Sequence, residues 1–397
     1  MILETPQRIE PTRLEDVPVA LGDLVAEVAA AAAKLGASLN PRTAASLAQL
    51  VRIMNSYYSN LIEGNNTRPR DIEKALSGHS GDPSVKRNLL LEAVSHVRLQ
   101  TEIDERFAEQ KVQEPATTEF ICWLHREFYC DAPAEMLKIK ANDRTITMRP
   151  GVLRSQPEED VAVGRHQPPS SESVAAFMHY FAERYRFAPL GKAAKILAIP
   201  AAHHRLNYIH PFPDGNGRVS RLMSHAMAHL AGIGAHGLWS VSRGLARGLD
   251  SSTDYKRMMD HADMTRQGDL DGRGNLSQRA LIEFSIWFLK TCVDQISFMS
   301  GLFEINTLAQ RFKIYTERSN TLKPEAASLL QEALIRGEFE RGEITRITGL
   351  PERTARRVLN DTIATGLLAS DTPKGPVSLR FPVEAQDILF PRLFTES

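Results

Sequence analysis

The sequence predicts a mainly α-helical protein with one small β-hairpin and a distinct C-terminal end. Three observations predict it. Apolar residues recur at helical spacing over most of the first 300 or so positions. A stretch rich in proline and glycine, "MRPGVLRSQPEEDVAVGRHQPPS", interrupts that spacing with a short extended run. Beyond about Ser300 the pattern turns to short helices joined by a glycine turn and closed by an alternating pair of strands.

The elements follow in order. Asn40-Pro41 reads as an N-cap with proline at the first helical position. The helix it opens runs through "LAQLVRIMNSYYSNLIEG" and stops at Gly64. "VKRNLLLEAVSHVRLQTEIDERFAE" is a second amphipathic helix. "SESVAAFMHYFAERYRF" is a third, with Val174, Phe177, Met178, Phe181 and Tyr185 on one stripe. The interrupting stretch reads as an exposed loop holding a small hairpin. Lys192 to Ile209 is helical in pattern, with Pro200 as a kink. Val219, Leu222, Met223, Met227 and Leu230 restore the spacing as far as Gly232 and Gly234. A tight loop between two helices therefore carries "HPFPDGNGRVSR", which starts at His210.

At 397 residues the chain has room for two or three domains. Lys and Arg together number 48, as do Asp and Glu, so no global field points to nucleic acid, a membrane or an acidic partner. Cys122, Cys130 and Cys292 lack CxxC spacing, which argues for a reducing compartment and against a disulfide framework or zinc site. The first residues lack the apolar core of a signal peptide, and "LVAEVAAAAAKLGA" is too short and too charged to span a bilayer. A cytoplasmic protein with no membrane partner is expected.

The loop motif concentrates chemistry. Gly215-Asn216-Gly217 opens a helix, where free N–H groups make an anion site. Arg218 and Arg221 share a face of that helix, and an arginine fork suits phosphate. Several phosphate donors together point to a nucleotide. Asp214 beside them would repel an anion unless Mg2+ bridges the two. His210 has the ordinary pKa of a base near neutral pH. These parts together fit attack of a hydroxyl on a metal-bound polyphosphate. Other phosphate motifs do not apply: Ser220 stands where a dinucleotide fingerprint needs its last glycine, and "GKAAK" at Gly191 is not a Walker A loop.

"HPFPDGNGRVSR" resembles the HPFx(D/E)GNGRxxR signature of Fic-domain proteins, most active members of which are adenylyltransferases. The resemblance covers roughly residues 40–295. It implies a Fic-type helical bundle with a β-hairpin flap, and transfer of AMP from ATP to a protein hydroxyl (Tyr, Thr or Ser), on a target or on the protein itself. By position, His210 would deprotonate the hydroxyl and Asp214 would hold Mg2+. Gly215, Asn216 and Gly217 would form the anion hole, and Arg218 and Arg221 would bind the outer phosphates. Asp160, Val161, Ala162, Val163 and Gly164 fall where the family has its flap, which holds a target segment by strand addition. Tyr255 lies where the family builds part of its nucleotide pocket. "SNLIEG" resembles the inhibitory pattern (S/T)xxxE(G/N), so that Ser59 and Glu63 would share a helix face and Glu63 would occupy Arg221.

"EITRITGLPERTARRVLNDTIATGLL" has the layout of a helix-turn-helix, and "LLASDTPKGPVSLRF" that of a wing, together a C-terminal winged-helix domain. Arg353, Arg356 and Arg357 lie on the second helix and could meet DNA. The near balance of charge in this region favours protein docking or dimerisation instead. The expected division is an N-terminal helical region over 1–110 with its inhibitory helix near 41–64, a catalytic core over 111–300, and the winged helix over 301–397. The alternative to an enzyme is a DNA-binding regulator with a nucleotide-sensing or silent domain.

Overall fold

The computed structural model describes residues 4–14, 16–77, 84–141 and 144–394. The chain divides into two compact units, each discontinuous in sequence.

The first unit comprises Met1–Ala32, Asn55–Gly234 and Ser240–Gln295. Its helices include the C-terminal part of α2 (helix α1 is Val19–Ala37, α2 is Pro41–Ile62), then α3 (Pro69–Leu76), α4 (Ser84–Ala108), α5 (Thr118–Phe128), α6 (Val174–Arg184), α7 (Lys192–Ile209), α8 (Asn216–Leu230), α9 (Val241–Arg247), α10 (Asp254–Ala262) and most of α11 (Gln278–Leu302). At its centre is the antiparallel α7–α8 pair; α4 and α5 pack on α8, and α6 packs on α7. Burial explains the order. Phe177, Met178, Phe181 and Tyr185, the expected stripe, are fully buried along with Val174. So are Val219, Leu222, Met223 and Met227 on α8.

Local chemistry sets the helix ends as expected. The Asn40 side chain accepts a hydrogen bond from the Arg42 N–H, 2.9 Å. After Ile62 the chain closes with Asn65 N–H on Asn60 C=O (2.9 Å), with Gly64 at φ 83°. Pro200 lies inside α7, which continues through it.

The strands of this unit differ from expectation. A regular two-stranded hairpin pairs β1 (Lys138–Ala141) with β2 (Arg144–Thr147), Ile139 opposite Ile146. It lies upstream of the proline-rich stretch, in which strand pairing is reduced to one antiparallel bridge between Val163 and His166. The reason is compositional: Lys-Ile-Lys and Thr-Ile-Thr alternate as a half-buried pair must, whereas four prolines break up the later stretch.

The second unit comprises Ala33–Met54, Ala235–Trp239 and Ile296–Ser397. Here α12 (Ile305–Arg318) packs on α13 (Ala326–Arg336) and on α16 (Val383–Leu389). Strand β3 (Glu338–Phe339) is followed by the short α14 (Ile344–Thr348), a left-handed turn at Gly349, and α15 (Glu352–Ala364), which starts after Pro351. Strands β4 (Leu368–Ala369) and β5 (Val377–Leu379) complete an antiparallel sheet in the order β3-β5-β4.

Candidate active site

The site forms where α7 ends and α8 begins. His210 caps α7 in the left-handed region, φ 52° and ψ 60°, and Gly215 precedes α8 at φ 82°. A histidine in that conformation is strained, so its surroundings must hold it there. Arg154 does so. It is fully buried and donates from Nε to the His210 carbonyl (2.7 Å) and from Nη2 to the carbonyls of Ile209 (3.0 Å) and Pro169 (2.6 Å). Its Nη1 reaches Ser171 Oγ at 3.0 Å, and its own N–H donates to Pro211 C=O at 3.0 Å.

Asn216 clamps the loop from the other side. Its Oδ1 accepts from the Phe212 N–H (2.9 Å) and its Nδ2 donates to the Phe212 carbonyl (2.8 Å). The Asn216 side chain is therefore spent on the loop, and only its main chain remains for an anion. Phe212 is fully buried and stacks on His125, ring centroids 3.9 Å apart. The Gly151 N–H donates to His125 Nδ1 (2.8 Å), which leaves Nε2 as the donor to the Asp214 carbonyl (3.2 Å). Asp214 itself is exposed, with Oδ1 accepting from the Gly215 N–H at 2.6 Å. Gly215 is required as glycine, because a Cβ there would lie 2.8 Å from the Tyr129 hydroxyl.

Both arginines of the motif are buried and paired. Arg218 donates to Tyr129 Oη (2.6 Å) and to Glu92 Oε2 (3.1 Å). Arg221 donates from Nε to Ser59 Oγ (2.9 Å), and from Nη2 to the Ser59 carbonyl (3.1 Å) and to Glu63 Oε1 (2.6 Å). The Glu63 carboxylate covers the start of α8: a Cβ on Gly217 would come within 2.6 Å of Oε1. Burial works to raise the Glu63 pKa, but the guanidinium groups of Arg221 and Arg218 outweigh it and hold the carboxyl below its usual range. Burial, with Arg154 nearby, lowers the His210 pKa to about 4, so the ring is neutral at pH 7.

The structure thus brings Ser59, Glu63, His210, Asp214, Gly215, Asn216, Gly217, Arg218 and Arg221 to one place. Tyr255 is buried beside them, its hydroxyl 2.8 Å from His203 Nε2. Of the residues expected to form a flap, Asp160 accepts from the Ser171 N–H (2.7 Å), while Ala162, Val163 and Gly164 are exposed. Sequence reasoning missed Glu92, His125, Tyr129 and Arg154. Each acts through contacts with segments distant in the chain, and no local pattern signals it.

Residues 115–228 match the model of the Fic/DOC family. The protein adenylyltransferase Fic of Aedes aegypti is 37% identical over 78 residues, 18% of this chain and 14% of that protein. Its counterpart in Drosophila erecta is 36% identical over 72 residues, with the same coverage. The matched stretch is thus a small part of these relatives' own length. Among solved structures, a Fic family protein from Desulfovibrio desulfuricans G20 aligns over 92% of this chain and 98% of its own, with TM-score 0.53 and 17% identity. Fic-1 from C. elegans aligns over 72% and 73%, with TM-score 0.50 and 16% identity. Residues 115–228 are thus a Fic domain within a mainly α-helical fold, with the signature loop between α7 and α8. Among the described residues no helix is long and apolar enough to cross a membrane.

Proposed function

We propose that this chain is a self-inhibited protein adenylyltransferase, which moves AMP from ATP to a Tyr, Thr or Ser hydroxyl of a target protein. The observation that carries the reading is the pairing of Glu63 and Ser59 with Arg221 at the mouth of an intact His210–Asp214 loop. A neutral His210 takes the proton of the target hydroxyl as its oxygen bonds to the α-phosphorus. The bond between the α-phosphorus and its bridging oxygen breaks, and pyrophosphate leaves. The main-chain N–H groups at the start of α8 receive phosphate oxygens, and Arg218 and Arg221 balance the charge of the leaving group.

Mg2+ fits the donors present. Asp214 is an exposed carboxylate beside a helix N-terminus, the kind of oxygen ligand this ion shares with substrate phosphates. When bound, Mg2+ neutralises charge on the phosphates. Residues Asp160–Gly164 serve as the flap, since Ala162, Val163 and Gly164 are exposed where an extended target segment could pair with them. The target is another protein or a second copy of this one.

Inhibition follows from occupancy. Glu63 holds the cation meant for the outer phosphate and presents like charge where that phosphate would sit. ATP then binds displaced, and an error of about 1 Å in the reacting geometry costs roughly 10²-fold. Radiolabel from α-labelled ATP and Mg2+ tests this with wild type, Glu63→Gly, and Glu63→Gly with His210→Ala. Strong labelling of protein by the single variant alone is expected. No labelling by any of the three, with ATP binding intact, defeats the proposal.

The C-terminal elements from α13 to β5 have the order of a winged helix, and we assign them to docking of protein partners, a second copy included. A DNA-binding reading draws on the groove lined by Arg341, Arg356 and Lys374. Against it, Arg356 pairs with Glu352 (2.6 Å) and Arg357 lies 3.9 Å from Asp361, so two of the three arginines on α15 are offset. A salt-dependent gel shift with duplex DNA would reverse this assignment.

A further inference from the structure

Helix α8 carries polar residues well past the signature loop. His225 and His229 follow Arg221 at steps of four, and such steps return to nearly the same side of a helix. On α4 the same steps run from Glu92 through His96 and Gln100 to Asp104. The two helices pack together. Glu92 meets Arg218 at one end of this contact, and Asp104 meets both histidines at the other.

His225 Nε2 lies 2.7 Å from Asp104 Oδ1, and His229 Nε2 lies 3.2 Å from the same oxygen. The two ring nitrogens are 3.2 Å apart. A triangle of that size leaves a point about 2.0–2.1 Å from all three atoms, the distance at which Zn2+ holds imidazole nitrogen and carboxylate oxygen. Two nitrogens that face each other so closely cannot both aim a proton along the line between them, whereas one cation accepts a lone pair from each.

The chemistry selects the ion. Two imidazoles and one carboxylate suit Zn2+ and its transition-metal neighbours; Mg2+ and Ca2+ take oxygen. The surroundings hold the ligands in advance. The His229 ring stacks on Phe107 with centroids 5.3 Å apart and planes 16° from parallel. Gly234 makes room for it, because a Cβ there would fall 2.6 Å from His229 Nδ1. The side chains of His225, His229 and Asp104 are 8%, 14% and 12% exposed, nearly enclosed yet in reach of solvent.

We propose that Asp104, His225 and His229 bind one Zn2+-class transition-metal ion, with water in the fourth position, and that the ion ties α4 to α8. The site is separate from the Mg2+ position at Asp214. Nine to thirteen residues of helix, roughly 13–20 Å at 1.5 Å per residue, separate the histidines from the start of α8. The inference does not depend on the adenylyltransferase reading, and its test needs no activity.

The full chain, stripped with chelator and returned to buffer with excess Mg2+, is titrated calorimetrically with Zn2+, and its visible spectrum is recorded with Co2+. We expect one Zn2+ per chain, a higher Tm, and a Co2+ spectrum of four-coordinate intensity. His229→Gln and Asp104→Asn, each checked for fold by circular dichroism, should weaken Zn2+ binding by about 100-fold or more, beyond the loss typical of an outer-shell partner. Equal Zn2+ binding by wild type and folded variants overturns the proposal, and so does no binding at all. Should a variant not fold, the wild-type Co2+ spectrum decides, and one matching aqueous Co2+ overturns the site.

Discussion

The α7–α8 loop and the stretch from Ala162 to His166 both lie by the end of α7, where His166 Nε2 is 2.7 Å from the Tyr208 carbonyl, yet they are built in opposite ways. In the loop almost every group is fixed twice. His210 is strained at φ 52° and held by Arg154, Phe212 is stacked on His125, and the Phe212 main chain is gripped at both ends by Asn216. In the neighbouring segment residues 162–165 are exposed, and a single bridge pairs Val163 with His166. The difference separates two demands. Phosphates and a base need fixed positions within a fraction of an ångström. A polypeptide partner needs open backbone that can accept a new strand.

The contrast can be broken at its rigid side first. Arg154→Met removes every side-chain donor to the Ile209 and His210 carbonyls and leaves them buried, at about 1–3 kcal/mol for each unsatisfied group. In a Glu63→Gly background, labelling turnover should fall by about 10²-fold through kcat, with the KM for ATP little changed. An unchanged kcat would mean that His210 is held without Arg154. On the open side, Val163→Pro deletes the N–H that donates to His166. Transfer to a protein target should drop several-fold or more, while urea unfolding moves by no more than about 0.5 kcal/mol. A large loss of stability would show that the segment is not open.

A further expected effect is a slope with pH. Burial, with an arginine close to each ring, lowers the pKa of His125 and His210 to about 4 and of His96 and His203 to about 3. Between those values and the ordinary 6.5 the unfolded chain binds protons that the folded chain refuses. Stability is therefore full above pH 6.5 and declines as the pH falls toward 4. Urea unfolding at pH 7.5, 6.0 and 5.0 should give steadily lower free energies. The acid limb of the pH–rate profile of Glu63→Gly should likewise lie well below 6.5.

Much of the rigid region was legible in the sequence, because its parts are neighbours in the chain. His210, Asp214, Gly215 and the two arginines fall within one loop and the turn of helix after it, where spacing fixes which groups share a face. The partners that hold them were not legible. Arg154 lies 56 positions from His210, and Tyr129 lies 89 positions from Arg218; one residue in an ordinary amphipathic or loop context carries no sign of such a contact. Ser59 and Glu63 were readable as one helix face, but their meeting with Arg221 came only from family resemblance. The β1–β2 hairpin was missed even though Ile139 and Ile146 alternate with polar neighbours, because each run is only four residues long.

Gly217 has a consequence for how such a protein changes by mutation. The bare Cα at this position is the surface against which Glu63 rests and, in the proposed function, also a face of the anion cradle. On the proposed reading, any side chain there would evict the glutamate and fill the cradle in one step. Restraint and catalytic capacity are thus written on the same atoms, and no change within the loop separates them. On that reading, gain-of-activity changes are expected at Ser59 and Glu63, which can vary without touching the phosphates, and only losses are expected in the loop itself.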